Sequence, residues 1–369
     1  MGRTERLQDE KYMRMALSLA FRGTGCVSPN PRVGCVLVRE GVVVGWGFHG
    51  RYGGPHAETE ALKVAGDKAL GATAYVTLEP CSHFGKTPPC ADALVRAGVR
   101  RVVVGVRDPN PKVDGGGMRR LREADVHCVE GVLEEACREI NRGFFRVLEA
   151  GRPWITAKGA CSWDGMLALA DGQSRWITNE RSRRVAHVLR REHDAVLVGI
   201  GTVLADDPAL TVRGASGVSP RPVVLDTALR LPENAALLRD KRALIFCGPE
   251  VPEERRDVLR RRGAEVVAVS QKSPGRLDLE EVLTALVQRG VLSLLLEGGS
   301  ATLGAFFQQR LVDAVALFLA PKLLGCGLPF SGELSFRAMD EVLVLGASTW
   351  TPLGDDVLLE GRLSCLRAS

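Results

Sequence analysis

The sequence contains no run of about 18 consecutive apolar residues, so no membrane-spanning helix is predicted. The N-terminal segment leads into a charged helical pattern and lacks the apolar core of a signal peptide. No internal repeat and no low-complexity tract is present. A basic, aromatic-rich stripe is also missing, which argues against a nucleic-acid partner. The ten cysteines, without a signal peptide, indicate reduced thiols in a cytoplasmic protein.

Length and charge narrow the possible number of domains and the possible classes of substrate. A chain of 369 residues is expected to form about two domains. The net charge of +5 is small for this length, and it suits anionic small-molecule substrates at least as well as nucleic acid. A homo-oligomer is compatible with these features. The segment Ala150–Pro153 interrupts a long helical pattern with Gly and Pro, so we expect one domain over 1–150 and a second over 151–369.

Both halves are predicted to be α/β. Short apolar strands alternate with amphipathic helices, which favours helices packed on a mixed sheet. In the first half, Glu130–Leu148 is expected to form one long helix. In the second half, the last strands are expected at Val342–Leu345 and Asp356–Arg362.

The most informative motif combines His56-Ala57-Glu58 with two cysteines, Cys81 and Cys90. One imidazole and two thiolates can hold a tetrahedral Zn²⁺ that keeps an open position for water. The pattern His-x-Glu followed by Pro-Cys-x-x-Cys is the signature of zinc deaminases. This chain departs from that signature because eight residues, not two, separate its cysteines.

Glu58 is the candidate proton carrier of this site. A carboxylate two residues after the histidine is placed to take a proton from zinc-activated water, and then to return it to a leaving amine. The plainer alternative is that His56 and Glu58 form a solvated helix face and that the cysteines lie in the core. Three candidate ligands at predicted element ends favour zinc, with His56 after Gly-Gly-Pro, Cys81 after a strand and Cys90 after Pro-Pro.

Further motifs in the first half accompany the zinc motif. They are Pro29–Gly34, Gly54–Glu58, Pro80–Cys90, Gly105–Pro111 and Glu139–Phe145. Together they resemble the bifunctional deaminase–reductase family of riboflavin biosynthesis, in which a long insert separates the two cysteines. The resemblance implies a cytidine-deaminase-like three-layer domain. One departure is Phe84, where the family commonly has a second histidine.

The same resemblance implies four contacts to the deaminase substrate, at Asn30, His49, His83 and Lys86. A cation at Lys86 suits a phosphate, and the two imidazoles can donate hydrogen bonds to phosphate or ribose hydroxyls. The alternatives are that Asn30 is only a turn residue between prolines, and that Lys86 and His49 are ordinary surface side chains.

Two glycine turns stand out in the second half. Gly199-x-Gly201 follows an apolar strand, and Glu297-Gly298-Gly299 follows another. A helix that starts after such a turn can bind a phosphate group. Neither turn is specific for phosphate binding, because an ordinary turn from a strand into a helix also uses glycine. The third glycine of a Rossmann fingerprint is absent, with Leu204 in its place.

Segments Arg152–Arg213 and Glu297–Gly325 resemble the reductase half of the same family. The resemblance implies a dihydrofolate-reductase-like α/β domain that uses NADPH. It places the following residues near the cofactor: Ala160, Trp176, Thr202, Asp206, Thr227 and Gly299. It places another set near the reductase substrate: Lys158, Ser174, Arg190, Leu210, Arg213 and Glu297.

Guanidinium groups at Arg190 and Arg213 suit a ribose phosphate. Arg190 also belongs to an arginine-rich helix, and Lys158 could be only a solvated charge at a strand end.

The expected function is therefore bifunctional. The first half would deaminate a phosphoribosylated diaminopyrimidine with zinc-hydroxide and Glu58, and the second would reduce the ribosyl group to ribityl with NADPH. One alternative is a tRNA or nucleobase deaminase with an accessory domain, since the metal motif also serves tRNA deaminases. Another is a non-enzymatic zinc module, although a structural site would prefer four protein ligands.

Overall fold

A computed structural model describes residues 3–82, 89–110, 113, 115–214 and 217–365. The chain forms two compact units, Met1–Gly151 and Arg152–Ser369. This division lies one residue after the boundary that the Gly and Pro residues suggest. Within the described ranges, no helix has both the length and the apolar character needed to cross a membrane.

The first unit contains six helices and five strands among its described residues. In chain order they are α1 Arg3–Ala20, β1 Gly34–Arg39, β2 Val42–Phe48, α2 Ala57–Ala65, β3 Thr73–Leu78, α3 Cys90–Arg96, β4 Arg101–Val106, α4 Gly116–Glu123, β5 His127–Val129, α5 Glu134–Ile140 and α6 Arg142–Ala150. The strand order is β2-β1-β3-β4-β5. Strand β1 is antiparallel to both neighbours, whereas β3, β4 and β5 run parallel.

Helices cover both faces of this sheet. Because side chains alternate along a strand, Cys35 and Leu37 of β1 face a core with α2, α3 and α4. Val36 and Val38 face the opposite core, which is shared with α1 and α5. The result is the three-layer arrangement that the sequence predicts, with the amino ends of α2 and α3 beside the carboxyl end of β3.

The expected single helix over Glu130–Leu148 is wrong. The structure has α5 and α6 with Asn141 between them, at φ −111° and ψ 19°. The Asn141 side chain accepts a hydrogen bond from the Arg32 amide at 2.7 Å and donates one to the Arg32 carbonyl at 2.9 Å. This pair of hydrogen bonds fixes the junction of the two helices to the segment before β1.

The second unit is built on a nine-stranded sheet. Its elements are β6 Trp154–Ser162, β7 Met166–Leu169, α7 Glu180–Arg191, β8 Ala195–Gly199, α8 Ile200–Asp206, β9 Arg221–Leu225, β10 Leu244–Cys247, α9 Glu253–Arg261, β11 Glu265–Ala268, β12 Gln271–Ser273, β13 Arg276–Leu277, α10 Leu279–Gln288, β14 Ser293–Leu296, α11 Ser300–Gln308, β15 Ala314–Ala320, β16 Gly327–Pro329, β17 Leu343–Leu353 and β18 Asp356–Cys365. The large sheet has the order β11-β10-β9-β8-β14-β6-β15-β18-β17.

Seven neighbouring strands of this sheet, from β11 to β15, run parallel. Strands β18 and β17 complete it as an antiparallel hairpin. The two faces bury separate cores, because Val196 and Val198 of β8 face one cluster and Ala195 and Leu197 face the other. Apolar runs such as those of β8 and β14 are typical of parallel strands that are covered on both faces.

The last two strands are longer than the expected ranges Val342–Leu345 and Asp356–Arg362. Strand β17 continues to Leu353, and β18 continues to Cys365. The extra part of β17 is largely exposed, so it has no apolar pattern that would reveal it. Hydrogen bonding to β18 holds it in the sheet.

Candidate active sites

His56 stands at the entrance of α2. Its backbone is extended, at φ −76° and ψ 161°, and it is the N-cap residue of that helix. The side chain therefore points away from the helical repeat. Its Nδ1 atom lies 3.2 Å from Cys90 Sγ and 3.6 Å from Cys81 Sγ.

Both cysteines also lie at element ends. Cys81 follows β3, and Cys90 is the first residue of α3. The Cys90 amide donates a hydrogen bond to Cys81 Sγ at 3.4 Å, and the Ala91 amide donates to the Cys81 carbonyl at 3.2 Å. These two hydrogen bonds tie Cys81 to the first residues of α3, although eight residues separate the two cysteines in sequence. The ligand atoms of His56, Cys81 and Cys90 all lie within 4.8 Å of one another.

The donor set and spacing fit zinc. Ligands at about 2.1 Å and 2.3 Å from a tetrahedral zinc stand roughly 3.6 Å apart, which is close to the observed separations. The hydrogen bond from Cys90 lowers the pKa of the Cys81 thiol to about 4, while the same interaction raises the pKa of Cys90. A lowered pKa at Cys81 favours its thiolate, which is the form that binds metal.

Glu58 lies in the first turn of α2, one residue beyond the N-terminus, and is only 3% exposed. Burial, followed by the charge of Cys81, raises its pKa to about 7. A carboxyl group with this pKa is close to half ionised at neutral pH, so it can both accept and release a proton.

The two predicted substrate residues Asn30 and His49 contact each other. His49 Nδ1 lies 2.9 Å from the Pro55 carbonyl oxygen, and Nε2 lies 3.1 Å from Asn30 Nδ2. A carbonyl oxygen only accepts, so Nδ1 carries the proton and Nε2 accepts from the Asn30 amide. Burial lowers the pKa of His49, which favours this neutral form. The other two predicted residues, His83 and Lys86, lie outside the described residues, as does Phe84.

A second cluster of charged side chains lies in the other unit, at the carboxyl end of β14. Arg190 of α7 donates to both oxygens of Glu297, from Nε at 2.7 Å and from Nη2 at 2.8 Å. Lys158 Nζ of β6 lies 3.8 Å from Glu297 Oε2. Three residues that are distant in sequence therefore form one charged cluster, and their role as substrate contacts stays a prediction.

Electrostatics keeps Glu297 ionised. Burial alone would raise its pKa, but the charges of Arg190 and Lys158 outweigh burial and hold the pKa of Glu297 at about 2. Two cations against one carboxylate leave an excess of positive charge at this point. Such an excess is suited to an anionic ligand.

The two glycine turns lie side by side. Strands β8 and β14 are parallel neighbours, so their carboxyl ends lie at the same edge of the sheet. A Cβ atom at Gly199 would lie 2.4 Å from Thr302 Oγ1, and one at Gly299 would lie 3.5 Å from Thr202 Oγ1. Ligands of open parallel sheets bind at this edge, and two helix starts here present backbone N–H groups that suit phosphates.

The other predicted cofactor residues lie on several elements of the second unit. Ala160 lies in β6, and Thr227 follows β9, where its hydroxyl donates to the Gly275 carbonyl at 3.0 Å. Asp206 ends α8, and its Oδ1 accepts from Arg175 at 3.0 Å. Next to Arg175, the Trp176 side chain is 64% exposed.

The remaining three predicted substrate residues are Ser174, Leu210 and Arg213. Ser174 is half-buried and precedes Arg175. Leu210 is only 2% exposed and its side chain belongs to a core cluster, so a contact with substrate would have to come from its backbone. Arg213 is exposed, and its amide donates to His187 Nδ1 at 3.3 Å.

His187 lies near Arg190 and Arg213 and was not among the predicted substrate residues. It lies three residues before Arg190 on α7, and side chains at this spacing share a helix face. Burial, and then the charges of Arg190 and Arg213, lower the pKa of His187. The signal in the sequence was its spacing from Arg190, which would have placed it on the same face.

Comparisons with known proteins match each unit to a family. Residues 6–106 match the cytidine and deoxycytidylate deaminase zinc-binding region, and residues 153–359 match the RibD C-terminal domain. Riboflavin biosynthesis protein RibD of Aquifex aeolicus is 43% identical over 352 residues, which cover 95% of this chain and 97% of that protein. RibD of Escherichia coli is 41% identical over 347 residues, 88% of this chain and 92% of that protein.

Solved structures agree with these matches. Acinetobacter baumannii RibD, form 2, superimposes with a TM-score of 0.88 at 36% identity, over 98% of this chain and all of that one. The Thermotoga maritima diaminohydroxyphosphoribosylaminopyrimidine deaminase/5-amino-6-(5-phosphoribosylamino)uracil reductase gives 0.86 at 36% identity, over 98% of this chain. With a deaminase domain and a reductase domain in one polypeptide, the chain belongs to the RibD family of bifunctional enzymes of riboflavin biosynthesis.

Proposed function

We propose that the first unit deaminates 2,5-diamino-6-(5-phosphoribosylamino)pyrimidin-4-one, and that the second reduces the ribosyl group of the resulting uracil to ribityl. The observation that carries the proposal is the convergence of His56, Cys81 and Cys90, with the buried carboxyl of Glu58 interacting with all three. Matching of both units to one family supports two consecutive activities. It also disfavours a tRNA deaminase with an accessory domain, because residues 153–359 match a reductase domain.

In the deaminase unit, His56, Cys81 and Cys90 would hold the zinc ion. Zinc, when bound, supplies a water acidic enough to act as a nucleophile near neutral pH. Glu58 accepts the proton of the attacking water at a carboxylate oxygen and later donates it to the departing amine. The pKa of about 7 suits both directions of this transfer.

Asn30 would orient the pyrimidine. Because His49 uses Nε2 to accept from one N–H of Asn30, the amide oxygen and the second N–H remain to pair with polar atoms of the ring. The Pro55 carbonyl holds His49 in the required tautomer. This chain of contacts ends one residue before His56, so substrate and metal would be positioned by the same segment.

In the reductase unit, Lys158, Arg190 and Arg213 would attract the phosphorylated sugar, and Glu297 fixes the orientation of the first two. NADPH, when bound, supplies a hydride to the sugar carbon. The adjoining turns at Gly199 and Gly299 would bind its pyrophosphate through backbone N–H groups. Orientation is the main task of the protein in such a transfer.

The experiment is to assay both half-reactions on one purified preparation. We expect release of ammonia from the diaminopyrimidine, and loss of NADPH absorbance only once the deaminated compound has been formed or supplied. NADPH is expected to be preferred over NADH. Oxidation of NADPH with the diamino compound under conditions that block deamination would contradict the order of the two steps. Equal catalytic efficiency with both nucleotides would contradict the cofactor preference.

A further inference from the structure

Glu79 is a buried carboxylate directly before Pro80 and Cys81, and it has no part in the chemistry described above. Its side chain is only 4% exposed. Both oxygens are fully used by backbone amides. Oε1 accepts from Gly117 at 3.0 Å and from Met118 at 3.2 Å, while Oε2 accepts from Gly115 at 3.2 Å and from Asp108 at 3.3 Å.

These four amides belong to two different segments. Gly117 and Met118 lie in the first turn of α4, where unpaired N–H groups and the helix dipole favour a negative charge. Asp108 follows β4, the strand that pairs with β3. Just beyond β3, the Glu79 amide donates a hydrogen bond to the Val106 carbonyl of β4 at 3.0 Å. The carboxylate therefore ties the end of β3 to both the β4 loop and α4.

The tie brings α4 into direct contact with the backbone that carries Cys81. A Cβ atom at Gly117 would lie 1.9 Å from the Pro80 carbonyl oxygen, so only glycine permits this approach. A Cβ atom at Gly116 would lie 2.6 Å from Ser82 Oγ. The start of α4 thus packs on both sides of Cys81.

We propose that Glu79 is a positioning residue for the metal centre, since its four hydrogen bonds hold the Pro80–Ser82 segment against α4 and thereby place Cys81 Sγ beside His56 Nδ1. The inference rests on the zinc site proposed above. Only a carboxylate can serve all four donors. Glutamine would keep the shape but turn an NH₂ group toward two backbone N–H groups, and the segment would have to shift.

The test compares Glu79→Gln and Glu79→Asp with Asp9→Asn in the full-length protein. Asp9 is a matched control, because it is a buried carboxylate of the same unit that bonds Tyr75 and Arg101 on the opposite face of the sheet. Zinc affinity is measured by competition with a chromophoric chelator, and folding by thermal unfolding. Reduction of the pre-deaminated substrate serves as an internal check of the second unit.

We expect Glu79→Gln to bind zinc at least about tenfold more weakly than wild type, the scale typical of residues that orient metal ligands. Glu79→Asp retains the charge and should recover part of the zinc affinity. If the glutamine variant does not fold, Glu79→Asp is the variant compared with wild type. Asp9→Asn should lower the unfolding temperature with unchanged zinc affinity. The inference is overturned if Glu79→Gln keeps wild-type affinity, or if all three variants lose zinc in proportion to stability. Cys81→Ser is the reference, because equal zinc binding by it and by wild type would refute the proposed metal site itself.

Discussion

Replacement of Glu58 by glutamine tests the deaminase site most directly. Glu58 is not a metal ligand, so Glu58→Gln should leave zinc bound to His56, Cys81 and Cys90. It should abolish deamination, because an amide can neither accept nor return the proton. Reduction of the pre-deaminated substrate should continue at nearly the wild-type rate, since its residues lie in the other unit.

The magnitude follows from the environment of the carboxyl group. Glu58 is 3% exposed and its pKa is raised to about 7, so about half of it is ionised at neutral pH. Loss of general acid–base catalysis costs roughly 10²- to 10⁴-fold in rate. At about 1.36 kcal/mol for each factor of ten, this corresponds to roughly 3 to 5 kcal/mol in the barrier.

The same variant should change the pH dependence of stability in the metal-free protein. Because folding raises the pKa of Glu58 from 4.5 to about 7, its contribution to stability is fully present below about pH 4.5 and is lost as pH rises through 7. Each pKa unit corresponds to about 1.36 kcal/mol, so the loss approaches roughly 3 kcal/mol. Glu58→Gln has no carboxyl group to ionise, so it should not lose this stability as pH rises. It should therefore be more stable than wild type at pH 8 but not at pH 4.

The assay combines metal analysis, ammonia release and NADPH oxidation on matched preparations of wild type and variant, with chemical unfolding of the metal-free forms at both pH values. Deamination by Glu58→Gln at the wild-type rate would refute the proton-transfer role and return Glu58 to an ordinary helix residue. Loss of both activities in a folded, zinc-loaded variant would refute the assignment of the two reactions to separate sites.

Three further predictions concern the metal and the reductase unit. Wild type should contain about one zinc per chain, lost in Cys81→Ser and retained in Cys128→Ser; metal analysis decides, and loss from the second variant would identify the wrong thiol. Asp206→Ala should lower reductase kcat/KM at least about tenfold with deamination intact, because it removes the contact to Arg175; steady-state kinetics would contradict this if reduction were unchanged. Glu297→Gln should destabilise the second unit by about 3 to 5 kcal/mol, as expected when a buried ion pair loses one partner. Since the pKa of Glu297 is held at about 2, this difference should persist above about pH 4.5 and shrink as pH falls toward 2; stability curves that stay parallel down to pH 2 would argue against it.

Local signals in the chain were enough for much of the fold. Apolar runs and amphipathic periodicity predicted an α/β fold in both halves, and Gly and Pro predicted the division near residue 150, because period and turn chemistry are short-range properties. The break of the helix at Asn141 escaped prediction, and the contact that anchors this residue is with Arg32, more than a hundred residues away. The exposed length of β17 escaped as well, because hydrogen bonds to β18 and not burial maintain it.

The sequence by itself determined which groups are candidates for the two sites. The ligand types at His56, Cys81 and Cys90, the carboxyl at Glu58 and the two glycine turns can all be read from residue identity and spacing. Only the tertiary structure decided how these groups act. It buries Glu58, which raises its pKa to about 7.

The pairing of charges in the second unit was likewise a matter of tertiary structure. Arg190 and Glu297 are 107 positions apart, yet they form one ion pair at the carboxyl end of β14. His187 lies on the same face of α7 as Arg190. In the first unit, Glu79 accepts all four of its hydrogen bonds from backbone amides of other segments. Burial, charge pairing and backbone hydrogen bonds between distant segments depend on three-dimensional proximity, and residue identity alone does not carry that information.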